Sequence, residues 1–81
     1  MSDQHSKEEV EHIIQEKAKA ENSLGVCYYN GKGVAKDLKK AVELFEKAAE
    51  QGHADAQRNL GICYEYGEGV TKNLTKAIEW Y

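Results

Sequence analysis

The chain has 81 residues, room for one small domain. Its 11 Lys and Arg against 14 Asp and Glu leave a formal charge of −3, which argues against nucleic-acid binding, where a basic surface is the norm. Hydrophobic residues at 41% and charged residues at 31% make a globular mixture, and no apolar run is long enough to span a bilayer. The opening residues Met1–Glu9 are polar with no apolar stretch behind them, so no signal peptide is expected. Proline is absent and Gly occurs seven times, a composition that predicts long helices punctuated by glycine turns.

Ser6 and Glu9 form an S-x-x-E capping box ahead of Val10, Ile13 and Ile14. No Gly or Pro interrupts Lys7–Leu24, and the helical pattern runs on past Gly25 to Asn30. The pattern predicts either one long helix whose first half, within residues 1–17, is a polar-faced cap, or a break near Glu16–Ala18. Gly31-Lys32-Gly33-Val34 then reads as a tight reversal, with the valine turned inward. A phosphate-binding reading of Gly-x-Gly fails, because that fingerprint follows a strand and needs a third glycine. Asp37 is positioned to cap a second helix, in which Leu38, Ala41, Val42, Phe45, Ala48 and Ala49 fall on one apolar stripe. Gly52 ends it, where a left-handed residue is needed. A third helix is expected from Ala54-Asp55 to about Tyr66, with Ala56, Leu60, Cys63 and Tyr64 facing inward. Gly67–Val70 repeats the reversal, and Asn73 repeats the cap.

The second half of the chain echoes the first at a shift of 36 residues. Between residues 18–45 and 54–81, 14 of 28 positions are identical, including Leu24/Leu60, Gly25/Gly61 and Cys27/Cys63. A period in that range is the signature of a solenoid whose units bury their apolar faces only against neighbours. Gly25 and Gly61 lie inside helices, where glycine costs about 1 kcal/mol relative to alanine, so they mark close helix crossings. The expected organisation is a single domain with repeat one at 18–53 and repeat two at 54–81. The second repeat stops at Tyr81, the counterpart of Phe45, which predicts a marginal monomer or self-association through the open apolar end.

The repeated residues resemble the Sel-one-like repeat, a relative of the tetratricopeptide repeat. Repeat two supplies Ala56, Leu60, Gly61, Tyr64, Gly67, Gly69, Val70, Lys76, Ala77, Trp80 and Tyr81 of its pattern. Repeat one departs in having Leu44-Phe45 for Trp-Tyr, and repeat two in having Asn73 for Asp. The resemblance implies an all-α fold, a right-handed α/α superhelix of antiparallel hairpins, and an adaptor role in assembling protein complexes. It also implies an alternative: a secreted bacterial-type protein binding cell-wall-like ligands with weak hydrolase activity. Secreted relatives of that kind pair cysteines within one unit, whereas here each unit has one, Cys27 or Cys63. Both read as small buried hydrophobes, which points to a reducing, cytoplasmic setting.

In such stacks the first helix of each pair lines the concave surface. Helical spacing turns Asp55, Arg58, Ile62, Glu65 and Tyr66 toward that groove, and the repeat shift adds Lys19, Asn22, Val26, Tyr29 and Asn30. Two readings of Tyr29 and Tyr66 stand side by side: anchors for a protein or peptide partner, or covers over the seam between repeats. His5, His12 and His53 lack metal-ligand spacing, and Ser23 has no histidine at helical distance, so neither an enzyme nor a metal or other cofactor is expected.

Overall fold

The computed structural model describes residues 6–81, so His5 and the first five residues of the expected cap lie outside it. Four helices follow in order: α1 (Lys7–Asn30), α2 (Leu38–Glu50), α3 (Ala54–Tyr66) and α4 (Leu74–Trp80). No strand occurs among the described residues.

The capping box opens α1. Ser6 Oγ accepts from the Glu9 N–H at 3.1 Å, and the Ser6 N–H donates to Glu9 Oε1 at 2.9 Å. The helix then runs unbroken for 24 residues, about 36 Å, through the Glu16–Ala18 stretch where a break was the alternative. It ends at Gly31, whose φ of 69° is a left-handed value, with its N–H donating to the Cys27 carbonyl. Gly67 ends α3 in the same way, at φ 70° onto the Cys63 carbonyl.

Each hairpin is closed by one set of bonds, made twice. The Asp37 N–H donates to the Tyr28 carbonyl and the Asn73 N–H to the Tyr64 carbonyl, both at 2.9 Å. Asp37 Oδ1 accepts from the Lys40 N–H, and Asn73 Oδ1 from the Lys76 N–H, both at 3.0 Å. The ammonium of Lys40 lies 5.5 Å from the Tyr28 ring centroid, and that of Lys76 lies 5.4 Å from the Tyr64 ring. Identical or similar residues at these positions thus give the same local geometry in both repeats.

The close crossings fall where the internal glycines are. A Cβ on Gly25 would stand 2.7 Å from the Phe45 ring and 3.3 Å from the Ala41 carbonyl oxygen. A Cβ on Gly61 would stand 2.7 Å from the Tyr81 ring. Around these crossings the core is centred on α2 and α3: Val42, Phe45, Ala48 and Ala49 interleave with Ala56, Leu60 and Cys63. Packing runs along the chain, α1 on α2, α2 on α3 and α3 on α4. The result is elongated, 50 × 31 × 14 Å, with a radius of gyration of 14.4 Å against about 12 Å for a compact chain of this length.

The two ends differ from the middle. The segment expected as a polar-faced cap projects as a lone helix: residues 6–17 are all exposed, including Val10, Ile13 and Ile14. Leu60 is 0% exposed but its counterpart Leu24 is 44% exposed. Cys63 is buried, whereas Cys27, expected to be buried too, is only half-buried. The reason is positional. The face of α3 that carries Leu60 and Cys63 packs on α2, and no helix among the described residues precedes α1.

Candidate functional site

Stacking the hairpins sets α1 and α3, the first helices of the two repeats, on the same side of α2. Between them lies a groove of about 190 Å³ lined by Val26, Tyr29, Asn30, Phe45, Asn59 and Ile62. Val26 and Ile62 are counterparts in the two repeats, presented by equivalent turns of α1 and α3. Phe45 reaches the groove from α2 and meets the Tyr29 ring at a centroid distance of 6.4 Å. Two carboxamides, Asn30 and Asn59, supply the polar part of the lining, so the groove is an apolar slot with neutral donors and acceptors at its walls.

Two side-chain bonds fasten the helices on either side of it. Asn59 Nδ2 donates to Asn22 Oδ1 at 3.0 Å, and the Tyr29 hydroxyl donates to Glu68 Oε1 at 2.5 Å. The second bond reaches from α1 into the reversal of repeat two. It pushes the Tyr29 hydroxyl up from 10.0 to about 12, since the Glu68 carboxylate holds the proton in place and partial burial adds to this. Burial, with a smaller contribution from Glu68, raises the Cys63 thiol to about 11, so at neutral pH it is a protonated filler of the core.

Of the ten residues expected on the concave face, Val26, Tyr29, Asn30 and Ile62 are brought together at this groove. Asn22 is buried at 9% exposure and is occupied by Asn59, so it positions the wall and is not free to meet a partner. Tyr29 lines the groove and, through its bond to Glu68, bridges the two repeats. Tyr66, at the end of α3, stands 67% exposed. Asp55 and Arg58 pair with each other at 2.9 Å on the open surface. Glu65 turns toward α4, where it accepts from the Tyr81 hydroxyl at 2.5 Å. Lys19 lies apart, in a shallow hollow with Gln15, Glu16 and the 51–54 turn.

Sequence reasoning missed Asn59, Phe45 and Glu68. Asn59 precedes Ile62 by three residues and so shares its side of the helix, a signal present in the sequence. Phe45 was assigned to the core, and it serves as core and groove floor at once. Glu68 sat inside a motif read only as a turn. Among the described residues no cluster of His, Cys, Asp or Glu could hold a metal ion, and no helix is long and apolar enough to cross a membrane.

Comparison with known proteins agrees with this architecture. The Sel1 repeat model matches residues 18–53 and 54–81. A Sel1 repeat protein from Oxalobacter formigenes is 46% identical, with a TM-score of 0.80, over 83% of this chain and 28% of that one. A protective antigen present in uropathogenic Escherichia coli strains, which displays the SLR fold, is 41% identical with a TM-score of 0.78 over 82% of this chain and 14% of that one. Cysteine-rich protein B of Helicobacter pylori is 30% identical with a TM-score of 0.77 over 95% of this chain and 62% of that one. The chain therefore spans under a third of the length of the first two. No curated protein matches it. Repeats of this kind generally serve as protein–protein interaction modules. With two successive matches covering most of its length, the chain belongs to the Sel1 repeat family.

Proposed function

We propose that this chain is a non-catalytic interaction module whose groove between α1 and α3 takes one apolar side chain of a protein or peptide partner. The juxtaposition of Val26 and Ile62 over the Phe45 ring, with the Asn30 and Asn59 amides beside them, carries the reading. An apolar side chain entering the slot displaces water from its apolar walls, and the Asn30 carboxamide offers a donor and an acceptor to the backbone beside it. Tyr66, Asp55 and Arg58 stand exposed on α3, where contacts with a partner set specificity more than affinity. Asn22 and Glu65 act by holding their neighbours. A groove for one side chain is a small part of the ~800 Å² per partner of a standard interface, so the affinity of the isolated chain is weak.

Selection of short peptides from a random display library on the folded chain, followed by calorimetric titration, tests this. The expected binders share a large apolar residue and lose about tenfold in affinity with Ile62→Lys or Val26→Lys. Binders indifferent to both substitutions would remove the groove. The cell-wall-binding alternative expects an intra-repeat disulfide, whereas each repeat here carries a single free cysteine, Cys27 or Cys63. Self-association we assign to a different surface, the open ends of the stack.

A further inference from the structure

Among the described residues there is one junction between repeats, and the outer faces of α1 and α4 each present one half of such a junction uncovered. Inside the chain, α2 covers α3: Ala56 and Leu60 are 0% exposed and Cys63 is 1% exposed. The same positions on α1 are open, with Ala20 exposed, Leu24 at 44% and Cys27 half-buried. On the other side, α2 uses Val42, 3% exposed, together with the half-buried Leu38. Their counterparts on α4 are Ile78 and Leu74, exposed at 72% and 55%.

The glycine reversals record the same asymmetry. A Cβ on Gly69 would run into the Leu38 carbonyl and stand 2.9 Å from Val42 Cγ2, because α2 packs directly on that loop. A Cβ on Gly33, its counterpart, meets nothing within 4 Å. Gly33 is therefore an unoccupied seat for a Leu-x-x-x-Val or Leu-x-x-x-Ile face, and α4 carries one, Leu74-Thr75-Lys76-Ala77-Ile78.

We propose that copies of this chain join head to tail, the α4 edge of one copy seating on the α1 edge of the next as α2 seats on α3 within the chain. The proposal rests on the assignment of self-association to the ends, and it adds the polarity and the residues. Because the two halves are different surfaces, the contact is heterologous, and an open assembly keeps one free edge at each end. α4 has 7 residues where α2 has 13, so the contact lacks the part made by Ala49 in the internal junction and is the weaker of the two.

Two variants, each spoiling one edge, test this by complementation. Leu24→Arg blocks the α1 edge and Ile78→Arg blocks the α4 edge; both positions are exposed, so helical circular dichroism should match the parent chain. If either loses helicity, Ala20→Arg or Leu74→Arg replaces it. By sedimentation equilibrium the parent chain should rise above its single-chain mass of 9.1 kDa as concentration increases. Each variant alone should stay at that mass, and an equimolar mixture should give a two-chain species and nothing larger. A parent chain that remains single at every concentration overturns both the proposal and the assignment of self-association to the ends. A parent chain that associates while the mixture does not, or a variant that still pairs with itself, leaves self-association standing and overturns the head-to-tail polarity.

Discussion

Tyr29 ties the two repeats through a single proton. Its hydroxyl donates to Glu68, across 39 residues of sequence, and its ring packs against Phe45 beside the groove. The hydroxyl is raised to about 12 from an ordinary 10.0, first by that bond and then by burial, so the folded state favours the protonated form. Its contribution to stability is complete below pH 10 and is lost as the pH rises toward 12. Tyr29→Phe should flatten this part of the pH dependence: between pH 10 and 12 the melting temperature of the variant should fall less than that of the parent. An identical fall in both would show that the Tyr29–Glu68 bond does not couple to folding. Tyr81 has a similar bond to Glu65 and is raised in the same direction, so the variant retains some alkaline sensitivity.

At the level of the helical hairpin, two sites with one backbone conformation differ in their surroundings. Gly33 and Gly69 have φ of 77° and 75°, so replacing either with alanine carries the same left-handed penalty of about 1–2 kcal/mol. Only Gly69 also has a Cβ-sized space filled by Leu38 and Val42 of α2. Gly69→Ala should therefore destabilise the chain by about 1 kcal/mol or more beyond Gly33→Ala, the range expected of overpacking. Chemical denaturation at a concentration where the chain is single measures the difference, and equal costs would mean that α2 does not rest on the second reversal. This comparison also marks how far the sequence could be read. The caps at Ser6, Asp37 and Asn73, the reversals and the crossings at Gly25 and Gly61 were legible because each depends on residues within one hairpin. Leu24 and Leu60, or Cys27 and Cys63, are the same residue at the same register and yet differ in burial, because burial depends on which hairpin lies alongside. For the same reason, Asn22 is buried and bonded to Asn59 behind the groove, while its counterpart Arg58 stays on the surface with Asp55. Periodicity assigns equal roles to equal positions, and the ends of a stack break that equality.

Across the whole molecule, packing that runs from each helix to its sequence neighbour makes stability a property of position along the stack. The middle helices are covered on two sides, and each fully buried apolar side chain such as Leu60 or Phe45 contributes about 2 kcal/mol there. The first turns of α1 have no buried side chain, and α4 buries only Ala77. The groove draws Phe45, Asn59 and Ile62 from the covered middle. Native-state amide hydrogen exchange reads this profile along the chain. The slowest exchange is expected in α2 and α3, from about Ala41 to Tyr64, with fast exchange over Lys7–Lys17 and through α4. Protection that is uniform from α1 to α4, or highest in Lys7–Lys17, would contradict a stack held together by neighbour-to-neighbour burial.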